Sequence, residues 1–350
     1  MSKPIEVPDQ REVMQALYQV GLVRNSARLV PLTGGVSCEV WRIAGEDLVD
    51  ETRTRYPDGL VVKAPLQTLR TPTLWQADVS RGIAEADALQ WYFGLTPQSV
   101  PEIVWRHPDA PVLVMQCAPA SWQEWREQML NGAADSAEAA TERLQAIAAL
   151  LGRTLAHWHQ STRQIEDLPA NLRTGDRLRT LRTDPFHRAT AVNVPIIAEP
   201  LVELAAELEA ARTCLVHGDY SPKNVLVSPP GVPLHAWMLD AEVAHVGDPA
   251  LDVAYLSTHL ACKAVARPEL ADRLNRAREA FQQAYRSGCT LVDDERLGRH
   301  TGAILAARVR GVSRVSYLDQ GQQGFVLDQA CELVQGRISL DQAWSAILAR

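Results

Sequence analysis

The sequence predicts an α+β chain in two parts, a strand-rich first lobe followed by a helical one. Three observations carry this. Short apolar, partly β-branched runs recur at 27–32, 36–43, 60–64, 101–104 and 112–115, each bounded by turn-forming residues. From residue 136 onward the apolar positions instead fall three and four apart, as at Leu144, Ile147, Leu151 and Leu155. At 350 residues the chain exceeds what one hydrophobic core usually organises, so two compact units are expected. The change of period at Gln116–Pro119 sets the boundary, giving an N-terminal part over 1–117 and a C-terminal part over 118–350.

Composition narrows the class. A hydrophobic share of 46% with 22% charged residues is that of a soluble globular protein. The net charge of −7 speaks against nucleic acid as a partner, because phosphate backbones call for a basic face. The cysteines at 38, 117, 214, 262, 289 and 331 lie far apart with no CxxC pair, a pattern of reduced thiols in a cytoplasm. MSKPIEVPDQREV has no apolar core, so no signal peptide is expected, and no uncharged apolar run is long enough to span a bilayer. The expectation is a cytoplasmic protein with no membrane partner.

Residues 8–22 suit a short amphipathic helix with Val13, Leu17 and Val20 on one side and Gly21 at its end. The runs 27–32 and 36–43 form a hairpin around Thr33-Gly34-Gly35. Two readings of that turn stand side by side. The glycines serve a tight turn that needs positive φ, or Gly34 and Gly35 let backbone N–H groups and Ser37 approach a phosphate. After a polar, turn-rich segment at 44–59, Lys63 interrupts the apolar strand 60–64. A lysine there lies on an exposed strand face or reaches an anion. The helix 83–93 carries Glu85 and Asp87, each a solvated first-turn acid or the partner of that lysine. His157 and His159, two apart on the helix 136–158, share no face and are read as packing or surface residues. Segment 181–191 shows no period and is expected as a loop. Helices follow at 200–212, 251–265, 269–283, 296–312, 325–334 and 341–348.

The chemistry concentrates in Leu215–Leu256. Three apolar runs, 214–216, 225–227 and 237–239, deliver His217-Gly218-Asp219, Asn224 and Asp240 to strand ends or short turns. Asp219, Asn224 and Asp240 offer oxygen ligands only, a set that suits Mg²⁺ completed by substrate phosphates and water. With a glycine turn and a strand lysine upstream, these are the parts of a phosphoryl-transfer site. The spacing of His217, Asp219 and Asn224 is that of the kinase catalytic loop H-R-D-x-x-x-x-N. Asp248, Pro249 and Asp252 are read as the start of the next helix, in capping and first-turn positions.

HGDYSPKN and LDAEVAHVGDPALDVAYL resemble the HGDxxxxN loop and the metal-binding aspartate with GDPxxDLA of the aminoglycoside phosphotransferase and choline kinase family. The resemblance is clear over 28–260 and looser beyond. It implies a protein-kinase-like two-lobed fold, with a β-rich N-lobe, a helical C-lobe and ATP between them. It further implies Asp219 as catalytic residue, Asn224 and Asp240 as Mg²⁺ ligands, Lys63 on the nucleotide phosphates and Glu85 as its helix partner. Met115–Cys117, with Met115 and Cys117 at its ends, corresponds to the hinge facing adenine. HGD in place of HRD and the lack of an APE segment point away from protein substrates. TGGVS departs from a full GxGxxG, and Lys223 does not match the catalytic-loop lysine of protein kinases, leaving it a solvent-facing or structural role.

The resulting expectation is an ATP- and Mg²⁺-dependent phosphotransferase acting on a hydroxyl of a small molecule: an aminoglycoside, amino sugar, sugar or amino alcohol. The alternative is an inactive nucleotide-binding regulatory protein of the same fold. A polycationic acceptor asks for an acidic site, yet the C-terminal helices carry Arg308, Arg310 and Arg314 among scattered acids. Those arginines are also explained as a solvated helix face.

Overall fold

The structure, a computed structural model, describes residues 6–32, 35–71, 74–131 and 136–350. Contacts divide the chain into two compact units, one of Met1–Trp122 with Trp237–Val243, the other of Gln123–Ala236 with Ala244–Arg350.

In the first unit, α1 (Gln10–Gln19) starts at Asp9, whose side chain accepts from the N–H groups of Arg11 and Glu12 while Glu12 returns a bond to the Asp9 backbone. This reciprocal cap satisfies orphan donors of the first turn and turns Val13 and Leu17 inward. Strands β1 (Val30–Pro31), β2 (Cys38–Ile43), β3 (Leu60–Pro65), β4 (Ile103–Arg106) and β5 (Leu113–Gln116) form one antiparallel sheet in the order β1-β2-β3-β5-β4. The segment expected as turns between β2 and β3 holds a short helix, α2 (Asp50–Arg55). Leu17, Ile43, Leu48, Leu60, Val62 and Val114 make the core under α1, each fully withdrawn from water, and burial of such side chains stabilises by about 1.5–3 kcal/mol apiece. Helix α3 (Arg81–Leu95) buries Ala84, Glu85, Ala88, Leu89 and Tyr92. Trp237 packs on Trp122 with ring centroids 5.1 Å apart, and the Met238 N–H donates to the Ser99 carbonyl at 2.8 Å. These anchors fix residues 237–243 in the first unit.

The second unit is mainly helical. A short ladder joins β6 (Gln123–Glu124) to β8 (Val225–Val227), and another joins β7 (Cys214–Val216) to β10 (His245–Gly247); β9 spans Ala236–Met238. Helices α4 (Trp125–Asn131) and α5 (Ala137–Ser161) precede α6 (Asp176–Leu178), α7 (Ala189–Asn193) and α8 (Ala198–Ala210). After β10 come α9 (Ala250–Ala266), α10 (Ala271–Gly288), α11 (Asp294–Arg310), α12 (Gln320–Val334) and α13 (Leu340–Leu348). Helix α5 lies tightly along α10: a Cβ on Gly152 would meet the Phe281 carbonyl oxygen at 2.3 Å, so only glycine permits that approach.

The expectation of a loop over 181–191 is overturned. Residues Arg179–Arg188 continue α6 as a widened, i→i+5 helix that runs into α7. Pro185 sits inside it, with no N–H to donate, and the wide turn accommodates that missing bond. A proline among arginines and threonines hid the helix from apolar periodicity. Among the described residues no single helix is long and apolar enough to cross a membrane, and all six cysteines are free.

Candidate active site

Lys63 occupies the middle strand of the sheet, opposite Val40 on β2 and Leu113 on β5. It is buried, and its Nζ donates to Glu85 Oε1 at 2.7 Å and to an Asp240 carboxylate oxygen. Asp87, the other acid considered for Lys63, turns instead to Arg106 at 2.5 Å. Burial pulls the Lys63 pKa down, but Asp240 and Glu85 outweigh it and hold the ammonium well above its usual range. Burial pushes the Glu85 carboxyl up against the pull of Lys63. Asp240 has φ +67°, a left-handed conformation that aspartate tolerates and that concentrates at functional sites.

Arg81, in the first turn of α3 and fully buried, is a hub not evident in the sequence. Its guanidinium donates to the carbonyls of Ser37 (2.6 Å) and Leu66 (2.5 Å) and pairs with Glu242 at 3.0 Å. It thereby ties the turn before β2 and the end of β3 to the loop that carries Asp240. Of the turn itself, Thr33 and Gly34 lie outside the described residues. At Gly35 a Cβ would meet the Cys38 carbonyl oxygen at 2.6 Å, so a side chain is excluded there. Ser37 follows, its carbonyl also taking the Leu66 N–H at 2.8 Å. Met115 is buried in β5; Cys117, just past its end, is half-buried and gives its N–H to the Gly59 carbonyl at 3.1 Å.

In the second unit the chain leaves β7 at Val216 and enters the HGD loop. The N–H groups of His217 and Gly218 each donate to an Asp252 oxygen at 2.7 Å, and Gly218 takes φ +79°, which glycine adopts without a steric penalty. Asp252 stands in the first turn of α9, as expected, and is in addition a fully buried brace for this loop. His159 Nε2 meets it at 3.1 Å, and His159 Nδ1 meets the Tyr285 hydroxyl at 2.9 Å. Burial raises the Asp252 carboxyl, yet the bonds and charges from His159 and His217 bring it below its ordinary value. Asp248 caps α9 through its side chain, accepting the Ala250 N–H at 2.9 Å, and pairs with Arg296.

Asp219 is buried with two cations on its carboxylate, Lys223 at 3.0 Å and Arg182 at 3.4 Å. Burial alone would raise its pKa; Lys223 and Arg182 overcome this and hold the carboxyl far below the usual carboxylate range. Arg182 comes from the widened helix. It donates to the Gly218 carbonyl at 2.7 Å and lies over the rings of Phe186 (5.7 Å) and Tyr255 (5.2 Å). Lys223 is thus neither merely solvent-facing nor remote from the carboxylate. Asn224 is buried and gives its amide N–H to the Asp219 carbonyl at 2.9 Å, leaving its side-chain oxygen to offer a cation.

The residues fit Mg²⁺ by the chemistry of the donors. In the first unit the Lys63 cluster holds two carboxylates, and in the second Asn224 presents a neutral oxygen; both are hard oxygen donors of the kind Mg²⁺ takes. Among the described residues no group of three or more His, Cys, Asp or Glu is arranged to hold a metal by protein ligands alone. Two of the residues absent from the sequence-based site had a readable signal. An acid within the apolar run of α9, Asp252, requires a buried partner, as does Lys263 on the same helix. Arg81 and Arg182 had none, since their partners are carbonyls and carboxylates distant in sequence.

An antiparallel sheet with its buried Lys–Glu pair and a helical unit bearing the H-G-D-x-x-x-x-N loop are the two parts of a protein-kinase-like fold. The sequence matches the Phosphotransferase enzyme family over residues 65–291, more than half of its length, and the chain belongs to that family. Among solved structures, a microcompartment-associated aminopropanol kinase is 14% identical with a TM-score of 0.53, the match covering 97% of this chain and 99% of that one. An amicoumacin kinase in complex with AMP-PNP, Ca²⁺ and Ami is 12% identical, also with a TM-score of 0.53, covering 95% of this chain and 97% of that one. At such identities the likeness concerns the fold alone. No curated protein matches the sequence.

Proposed function

We propose that the enzyme transfers the γ-phosphoryl group of ATP to a hydroxyl group of a small molecule, with Mg²⁺ as the accompanying cation. The observation that carries this reading is Asp219, a buried carboxylate kept ionised by Arg182 and Lys223 on a loop braced by Asp252. Asp219 orients the acceptor hydroxyl and takes its proton late in the transfer. So acidic a carboxyl is a weak base, which suits a loose transition state that needs positioning more than proton abstraction. Lys63, oriented by Glu85, contacts the nucleotide phosphates, and the turn with Gly35 and Ser37 covers them with backbone donors. Met115 and Cys117 face the adenine. Asn224 and Asp240 are the residues that would hold Mg²⁺. When bound, Mg²⁺ neutralises charge developing on the transferring group. The fold it shares with a kinase solved with AMP-PNP and Ca²⁺ supports a nucleotide with a divalent cation here.

A coupled ADP-release screen over sugars, amino sugars, aminoglycosides, amino alcohols and nucleosides, with product mass as second readout, tests the reading. Expected is ADP formed one-for-one with a phosphorylated product, lost in Asp219→Ala. ADP release without any phosphorylated acceptor, or full turnover by that variant, would sink it.

A further inference from the structure

We propose that the acceptor carries an anionic group, a carboxylate or a phosphate, beside the hydroxyl that is phosphorylated, and that Lys263 and Arg308 bind it. The inference rests on Asp219 marking the acceptor hydroxyl, and it narrows the substrate class.

The geometry follows one face of α9. Asp252, Tyr255, His259 and Lys263 are spaced three, four and four residues apart, so they form a single stripe. Its first member holds the HGD backbone. The Tyr255 ring carries Arg182, which pairs with Asp219, and the His259 ring lies 6.3 Å from that of Tyr255. Lys263 runs back along the helix, as helical side chains do, until its Nζ is 3.4 Å from the His259 carbonyl. Arg308, from α11, acts electrostatically on Tyr255, His259 and Lys263 alike.

Lys263 is 2% exposed, yet among the described residues no carboxylate lies within ion-pair range of it or of Arg308. Glu124, the acid that does act on Lys263, is committed to Arg126 at 2.6 Å. Among the described residues the Arg308 guanidinium donates to Ser313, at its carbonyl (2.8 Å) and hydroxyl (2.9 Å), and its buried Nε has no partner there. Burial, with the nearby cations Arg126 and Arg308, brings the Lys263 ammonium down to about 8, still protonated at neutral pH. A buried ammonium with no acid in ion-pair range is costly unless a ligand supplies the negative charge. The same arrangement opposes a polycation, which would set its ammonium groups against Lys263, Arg308 and Arg182. The Arg308 that the sequence left as a solvated face or a site element belongs, on this geometry, to the site.

The test uses the full chain saturated with Mg·AMP-PNP, so that the nucleotide phosphate site is filled. Melting temperature is followed on adding sodium phosphate in one arm and sodium acetate in the other, each against sodium chloride at equal ionic strength. One or both anions should stabilise the wild type beyond chloride, the arm that responds identifying phosphate or carboxylate. Lys263→Met and Arg308→Met should lose the response and Lys263→Arg should keep it. A wild-type response no larger than that to chloride, or one that persists in Lys263→Met, overturns the proposal. Among acceptors turned over, hydroxy acids or phosphorylated alcohols should outrank neutral and cationic analogues. Lys263→Met should then raise the acceptor KM at least about tenfold, with kcat nearly unchanged. A best acceptor that is an amino sugar or aminoglycoside also overturns it. If no acceptor is phosphorylated while the Lys263-dependent anion response stands, the phosphotransfer reading fails and the anion site survives.

Discussion

The two ionic clusters, Lys63–Glu85–Asp240 in the first unit and Asp219–Arg182–Lys223 in the second, are built from similar parts with opposite balance. The first gives one cation two carboxylates. The second gives one carboxylate two cations. Each cluster is left with a charge its own side chains do not cancel, negative in the first and positive in the second. In the proposed reaction the first accompanies the metal cation and the nucleotide phosphates, and the second keeps the acceptor-side carboxylate ionised.

Breaking the support of the second cluster should have the largest effect. Asp252→Ala leaves the buried N–H groups of His217 and Gly218, and His159, without their acceptor. A stability loss of about 3–5 kcal/mol is expected in denaturant melts. Lys63→Met attacks the first cluster, removing the ammonium that separates two carboxylates. A fall in kcat/KM of about 10²–10³-fold is expected, with weaker nucleotide binding in titration calorimetry. Lys223→Met should act least, because that lysine is 45% exposed and solvent screens it. Its readout is the pH profile. Asp219 is held ionised by two cations, so losing one raises its pKa and moves the acidic limb of kcat/KM to higher pH. Turnover above neutral pH should fall about tenfold at most.

The first cluster was largely legible in the sequence. Lys63 breaks an apolar strand, Glu85 lies on the next helix, and Asp240 ends a third apolar run, all local patterns of period and position. Period and position left Glu85 and Asp87 open and the resemblance gave Glu85; the packing agrees, with Glu85 on Lys63 and Asp87 on Arg106. The second cluster was half legible. Asp219 and Asn224 stand in a recognisable spacing, but Arg182 lies in a segment without apolar period. A wide helix around Pro185 carries it to Asp219 across more than thirty residues of sequence. Asp252 was placed at the right helix start, but its hold on the HGD backbone was not legible, because those partners lie more than thirty residues away in sequence. Gly34 lies outside the described residues, so the phosphate-turn reading rests on Gly35, Ser37 and the Arg81 contact.

The division of labour between the clusters is tested most directly by calorimetric titration of Mg·AMP-PNP into the wild type, Asp219→Asn and Lys63→Met. The account predicts that Asp219→Asn binds the nucleotide within about threefold of the wild type while phosphoryl transfer is lost, and that Lys63→Met binds at least about tenfold more weakly. Equal loss of nucleotide binding in both variants, or sustained transfer by Asp219→Asn, would contradict it.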